Sequence, residues 1–95
     1  MHAPSLQMVI NRLKGMEILG VAIATCREYG VTLDEVTGRS RLRPVVAARH
    51  AVWRLMHAHG WSPPYIGRVF GVHHTTVYAA LGMLEKSAAP ERKGG

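Results

Sequence analysis

The chain has 95 residues, 47% of them apolar, and a formal net charge of +6. This length allows one small hydrophobic core and excludes an enzyme with a large, deep pocket. The lone cysteine, Cys26, has no partner for an internal disulfide. The longest apolar stretch, residues 16–26, is too short to cross a bilayer. We therefore expect one soluble, intracellular domain.

The positive charge is concentrated in the middle of the chain. After Asp34 and Glu35 no acidic residue occurs before Glu85. All the Lys and Arg residues of that window are arginines, namely Arg39, Arg41, Arg43, Arg49, Arg54 and Arg68. Because the planar guanidinium group suits phosphate and guanine edges, this pattern favours a nucleic acid as the partner over a charge excess that only serves solubility.

Helical spacing of apolar residues predicts two helices in the first 30 residues. Ser5 can cap the first helix, which is expected to break near Gly15, and its apolar positions are Leu6, Val9, Ile10 and Leu13. The second helix ends at Gly30, since glycine suits a left-handed stop. Thr32 and Glu35 match a capping box, which predicts a third helix of barely two turns.

A basic loop, residues 39–43, leads into a long helix. Pro44 suits the first position of this helix, and Gly60 ends it. Its apolar stripe consists of Val45, Ala48, Val52, Leu55 and Met56. Ser62 caps a further short helix, and the last helix has an apolar side at Val77, Leu81 and Leu84.

The patterning predicts an all-α fold class, because no run of alternating apolar and polar residues typical of strands occurs. Residues 1–86 are expected to form a single helical domain, with a helix-turn-helix at about residues 63–86. Residues 87–95 have no core-building pattern and are expected to be a disordered tail.

Three positions have the spacing of a helix-turn-helix, in which a second helix presents its N-terminal side chains to the major groove of DNA. Gly67 is small where the two helices cross, Gly71 permits the turn, and Val77 anchors the second helix. At about 100° per residue, the exposed side and first turn of that helix carry the predicted groove-contacting residues His73, His74, Thr75, Thr76 and Tyr78.

From Ile18 to Lys86 the sequence resembles the C-terminal DNA-binding domain of the bacterial replication initiator DnaA. The resemblance rests on a short helix at residues 33–37, the arginine-rich loop, a long helix at residues 44–59, and the run Phe-Gly-Val-His-His-Thr-Thr-Val at residues 70–77. The family's run ends in Gly-Gly-Arg-Asp-His-Thr-Thr-Val. Here the run is one residue shorter and lacks the aspartate, which can accept from cytosine N4, so we expect a binding site different from the initiator's.

The resemblance implies roles for individual residues. His74 and Thr75 would contact bases in the major groove, and Thr76 would contact a phosphate. Arg41 would enter the neighbouring minor groove, and Arg49 would contact the DNA backbone. Further phosphate and minor-groove contacts are expected from Arg39, Arg43 and Arg54.

Simpler interpretations of the same residues stay open. The arginine loop can be a solvated surface turn, His73 can be only a helix cap, and Arg68 can be a solvent-facing residue. A metal site is not expected. His57 and His59 point to different sides of a helix, and the adjacent His73 and His74 diverge.

Neither catalysis nor a cofactor is expected. The central fifty residues contain no acid, and the chain has no phosphate loop of the Gly-x-x-x-x-Gly-Lys type. We expect a small bacterial transcription regulator, or a regulator of a replicon or phage-like element, that binds double-stranded DNA in the cytoplasm as part of the nucleoid. A homodimer or a larger protein partner would supply the affinity that one helix-turn-helix lacks.

The rival hypothesis is a protein-interaction module that binds polymerase or a replication initiator. Its contact surface or dimer seam would be the apolar side of the first helix, formed by Leu6, Val9, Ile10 and Leu13. Loss of function on changing Leu13 but not Arg41 would favour this rival.

Overall fold

The computed structural model describes residues 5–82, and this part of the chain folds into six α-helices. They are α1 (Leu6–Gly15), α2 (Leu19–Glu28), α3 (Leu33–Thr37), α4 (Arg43–Ala58), α5 (Pro63–Phe70) and α6 (His74–Ala80). Residues 5–82 contain no strand, which confirms the all-α prediction. The expected tail, residues 87–95, and Leu84 lie outside the described residues. None of the described helices is long and apolar enough to span a membrane.

Side-chain caps fix where several helices begin. Ser5 and Ser62 each accept a hydrogen bond from the backbone N–H three residues ahead, at the starts of α1 and α5. At the start of α3 the capping box is complete. Glu35 N donates to Thr32 Oγ1 at 3.1 Å, and Thr32 N donates to Glu35 Oε1 at 2.8 Å. These bonds satisfy backbone donors that a helix start otherwise leaves unpaired, so the predicted caps are confirmed.

Two helix boundaries differ from the prediction. Helix α4 begins at Arg43, so Pro44 is its second residue and not its first. Helix α6 ends at Ala80, although the apolar spacing continues into the following residue. The reason is Gly82, whose φ of 74° is left-handed and ends the helical path.

Helix α4 lies at the centre of the core and packs against α2, α3, α5 and α6. Its predicted stripe is buried at Val45, Ala48, Val52 and Met56, while Leu55 is only half-buried. Trp53 is buried as well, and its ring meets Phe70 of α5 edge-on with 5.9 Å between centroids. This packing fixes the α5–α6 pair relative to the loop that precedes α4.

The predicted contact surface on α1 is wrong for two of its four residues. Val9 and Leu13 are fully buried because α1 packs against α2, α3 and α5. Leu6 and Ile10 are half-buried, and they border an apolar groove of about 370 Å³. The groove is completed from α2 to the start of α3 by Ile23, Cys26, Val31 and Leu33. Changing Leu13 therefore tests the core and not a surface.

Candidate nucleic-acid interface

Helices α5 and α6 cross at a glycine. A Cβ atom at Gly67 would lie 2.8 Å from the carbonyl oxygen of Val72 and 3.4 Å from the backbone N and Cα of His74. The turn between the helices uses Gly71 with a φ of 68°. Val77 is fully buried and holds α6 against the core. The sequence interpretation of Gly67, Gly71 and Val77 as a helix-turn-helix is confirmed by this geometry.

His73 caps the start of α6. Its Nδ1 accepts from Thr75 N at 3.3 Å and lies 2.8 Å from Thr75 Oγ1. Because the backbone N–H donates to Nδ1, the hydrogen-bond pattern assigns the ring proton to Nε2 and makes the Thr75 hydroxyl a second donor. His73 is therefore the N-cap of α6, and its contact with DNA stays a prediction. The Nε2–H of the ring points away from this pair as a donor.

The first turn of α6 is open to solvent. His73, His74, Thr75 and Thr76 are all exposed, and Tyr78 is half-buried. The rings form a row, with 4.3 Å between the centroids of His73 and His74, and with His74 and Tyr78 edge-on at 5.8 Å. The three rings thus lie side by side along the start of α6. DNA contacts by these five residues stay a prediction.

The arginine loop connects α3 to α4. Arg39, Arg41 and Arg43 are exposed, and Arg43 already belongs to the first turn of α4. Leu42 occupies the cap position of α4, and 65% of its surface is exposed. The loop thus presents three cationic side chains at one end of the central helix.

The loop and α6 border the same two concavities. The first, of about 240 Å³, is lined by both Arg39 and Arg41 and by Thr76. The second, of about 590 Å³, is lined by Arg39 and Arg68 together with His73, His74 and Thr76. The fold therefore brings together predicted site residues that are more than 30 positions apart in the chain. Arg43 and Arg54 are exposed but line neither of these two concavities.

Two residues of this surface were not among the predicted contacts. Arg68 lines the larger concavity, and its guanidinium carbon lies 5.9 Å from the ring centroid of Tyr65. His50 of α4 borders a third concavity, of about 510 Å³, together with Thr75, Thr76, Ala79 and Ala80. The sequence holds a cue for His50, because it lies four residues before Arg54 and so on the same side of α4.

Arg49 is directed at the backbone of the arginine loop. Its Nε donates to the carbonyl of Val36 at 3.0 Å, and its Nη2 donates to the carbonyls of Gly38 at 3.1 Å and Ser40 at 3.0 Å. The side chain is half-buried, and this burial lowers the pKa of its guanidinium below the ordinary value of an arginine. No short-range pattern in the sequence indicates these bonds. Contact of Arg49 with DNA stays a prediction.

His50 of α4 stacks on the core and borders the concavity that Thr75 and Thr76 of α6 also line. Its ring stacks on Trp53 with 5.5 Å between centroids. Burial lowers the pKa of His50 below its usual 6.5, and the positive charges of Arg54 and Arg49 lower it further. All three effects disfavour the protonated imidazole.

We expect the protein to lose stability as the pH falls through about 6.5, in part because of His50. The folded-state pKa is below the unfolded value, so the unfolded chain binds more protons in the window between the two. Stability from this residue is complete above the unfolded pKa and is lost as the pH falls below it. Urea unfolding at pH 7.5, 6.5 and 5.5 measures the effect. His50→Gln should flatten the dependence, and an unchanged dependence in this variant would contradict the assignment.

His57, His59 and Cys26 have local explanations. His57 Nδ1 lies 3.2 Å from the carbonyl of Trp61, and His59 Nδ1 lies 3.0 Å from the carbonyl of Leu55, so both rings pair with backbone at the end of α4. Cys26 is buried, and burial raises the pKa of its thiol. Across residues 5–82 no three His, Cys, Asp or Glu side chains meet in a group that could hold a metal ion.

The comparison with protein families agrees with this geometry. The family model for the bacterial dnaA protein helix-turn-helix matches residues 20–82. The chain belongs to this family. The DnaA helix-turn-helix match begins in the first turn of α2 and extends beyond the end of α6, so it includes both the arginine loop and the α5–α6 pair. No solved structure matches the chain at a significant level.

Membership of the DnaA helix-turn-helix family bears on two expectations from the sequence, the resemblance to DnaA and the class of function. It confirms the resemblance drawn from the run at residues 70–77, and it places the chain in a DNA-binding family that is not a catalytic one. Helix α1 lies before the matched residues, and it adds Val9 and Leu13 to the core. The part shared with the DnaA family thus carries every residue predicted to contact DNA.

Proposed function

We propose that the protein binds double-stranded DNA in a sequence-specific manner, with α6 in the major groove and the arginine loop in the adjacent minor groove. The proposal rests on one observation: the arginine loop and the start of α6 line the same concavity. Arg39 of the loop lines one concavity together with the exposed tip of α6, which consists of His73, His74 and Thr76. One duplex that contacts the tip therefore also lies within reach of the loop.

The exposed side of α6 suits a major groove. The groove of B-form DNA is about 12 Å wide and admits a helix. Ala79 is exposed and small, which permits close approach to base edges. In the first turn His74 supplies a polar ring and Thr75 supplies a γ-methyl group, since the Thr75 hydroxyl lies 2.8 Å from His73 Nδ1. Phosphate contacts from Thr76 and from the helix start would hold the register.

The loop suits the backbone and the minor groove. Arg39 and Arg41 are exposed, lie between two helix boundaries, and stand in a window of sequence without acidic residues. Arg43 and Arg54 are exposed on α4 and would add phosphate contacts at the margin of the interface. This surplus of positive charge attracts a polyanion and raises the rate of encounter with it.

The biological role that follows is a regulator acting on specific DNA in the nucleoid, either in transcription or in control of a replicon or phage-like element. One helix-turn-helix reads few base pairs, so tight binding would draw on a second copy or on a protein partner.

Selection of bound duplexes from a random-sequence pool tests the proposal. The protein is mixed with the pool at moderate salt and excess competitor DNA, and the retained duplexes are sequenced. We expect an enriched motif of about one major-groove width, or two copies at one-turn spacing if a dimer binds. With about five phosphates neutralised, log affinity should fall against log salt with a slope of about −4.5.

Other outcomes of the selection have clear meanings. Retention of duplexes without any motif would contradict sequence-specific binding and leave a protein that reads only the DNA backbone. Retention of no duplex at all would contradict the proposed function and favour the protein-interaction rival.

Thr75→Ala is expected to relax specificity at one or two base pairs. The hydroxyl of Thr75 is held by His73 Nδ1 at 2.8 Å, so the γ-methyl group remains for contact with a base edge such as a thymine methyl. Discrimination at those pairs should fall by about 0.8 kcal/mol, the usual contribution of one buried methyl group. The measurement is the affinity for the enriched duplex and for its single-pair variants. Thr75→Val keeps the methyl group and is the matched control; an equal loss of affinity for all duplexes in Thr75→Ala would contradict the assignment.

A further inference from the structure

The guanidinium of Arg49 bonds to the two ends of the segment that leads into Arg41. The carbonyls of Val36 and Gly38 lie at the C-terminal end of α3, and the carbonyl of Ser40 lies in the arginine loop. Helix ends leave carbonyls without intrahelical partners, and a cation there is favourable. One side chain of α4 thus ties the end of α3 and the loop to the central helix.

Ser40 adds a further hydrogen bond between the arginine loop and the start of α4. Its carbonyl accepts from Arg49, and its Oγ accepts from the backbone N–H of Leu42 at 3.3 Å. The residue between them, Arg41, is exposed. The backbone on both sides of Arg41 is therefore fixed by hydrogen bonds, while the side chain of Arg41 is open to solvent.

We propose that Arg49 is a positioning residue for DNA binding, which holds the arginine loop in the conformation that presents Arg41 to the minor groove. The proposal rests on the proposed function and deepens it. It differs from the role that the resemblance implies for Arg49, which is direct contact with the DNA backbone. A loop fixed before binding loses less conformational entropy when the complex forms.

Lysine at this position separates the two roles. A lysine keeps the positive charge and can still contact a phosphate, but its single nitrogen cannot reproduce the forked arrangement that reaches three carbonyls. If Arg49 positions the loop, Arg49→Lys and Arg49→Gln should be about equally defective. If it contacts a phosphate, Arg49→Lys should bind almost as well as the wild-type protein.

The first test uses the duplex most enriched in the selection. We expect Arg49→Lys to lower the affinity of the protein for this duplex about tenfold, equivalent to about 1.4 kcal/mol. In the Arg49→Lys background, the further change Arg41→Ala should cost much less than in the wild type, because the two residues act as one unit. Additive losses would overturn the proposal. So would near-normal binding by Arg49→Lys combined with a salt slope lowered by about one unit in Arg49→Gln.

A second readout separates loop positioning from a general loss of stability. Replacing adenine by 2,6-diaminopurine in the same duplex adds an amino group to the minor groove and leaves the major-groove edge largely unchanged. The wild type should lose affinity for the substituted duplex. Both Arg41→Ala and Arg49→Lys should be nearly insensitive to it. Arg12→Ala, at an exposed position of α1, should keep the wild-type sensitivity. Full sensitivity in Arg49→Lys would overturn the proposal.

A third readout needs no DNA. In ¹⁵N-labelled wild-type protein, the Nε–H of Arg49 should exchange with solvent more slowly than that of exposed Arg12, since it donates to Val36. Equal exchange rates would show that Arg49 does not hold the loop, and would overturn the proposal even if the protein binds DNA. Slow exchange in a protein that retains no duplex would support the hydrogen bonds from Arg49 to the loop and would refute the proposed function. The two failures are therefore distinguishable.

Discussion

Arg41→Ala is expected to lower the affinity for the enriched duplex about tenfold to a hundredfold, because a hydrogen bond to a charged group contributes about 1.5–3 kcal/mol. Arg41 is exposed, and it lines a concavity together with Thr76 of α6. A duplex held by α6 would therefore lie within its reach. Titration of the labelled duplex at several salt concentrations measures both the affinity and its salt dependence.

The matched control for Arg41 is Arg27→Ala. Arg27 is also exposed, but it borders the apolar groove of α1 and α2 and not the loop or α6. Both variants remove one positive charge, so a purely long-range effect would be similar for both. We expect Arg27→Ala to change the affinity less than about twofold. Equal losses in the two variants would contradict a local contact by Arg41.

Much of the helical framework could be predicted because its causes are local. Ser5, Thr32 and Ser62 each bond to a backbone N–H within three residues, so each cap is visible in a short stretch of sequence. Gly67, Gly71 and Val77 were predicted from spacing for the same reason, since separations of four and six residues depend on the pitch of a helix.

The role of Arg49 could not be predicted because it depends on tertiary distance. Its three carbonyl partners are 9 to 13 residues earlier in the chain, beyond the reach of any helical or turn pattern. The same holds for Arg68 and for His50, which meet α6 only because α4, α5 and α6 pack together. Sequence reasoning found a basic region, and packing decides which of its members face the tip of α6.

The apolar stripe of α1 shows a related difference. The spacing of Val9 and Leu13 identifies one side of the helix as apolar, but it does not say what covers that side. In the structure α2, α3 and α5 cover it, so the predicted contact surface is reduced to Leu6 and Ile10 at the edge of a groove. The rival protein-interaction function loses its central residues by this packing.

Gly67→Ala is expected to destabilise the protein by about 1–3 kcal/mol. The added Cβ would lie 2.8 Å from the carbonyl oxygen of Val72, a backbone atom that cannot rotate away. Val72 is also tied to Gly67, because its N–H donates to the carbonyl of Gly67 at 2.9 Å. Relief of the clash must move the turn and the start of α6, including the backbone of His74, so DNA affinity should fall as well. Urea unfolding and duplex titration measure the two effects.

Gly20→Ala is the matched control, because the chemical change is the same and the surroundings are not. Gly20 lies at an exposed position in the first turn of α2, and no atom lies within 4 Å of its added Cβ. Alanine is a better helix former than glycine by up to about 1 kcal/mol, so this variant should be slightly more stable than the wild type. The same gain in helix propensity applies to Gly67→Ala. The cost of the clash with the Val72 carbonyl must therefore be larger than this gain for the variant to be destabilised. If Gly67→Ala were as stable as Gly20→Ala and bound DNA normally, close backbone contact between α5 and the turn would not be what sets the position of α6.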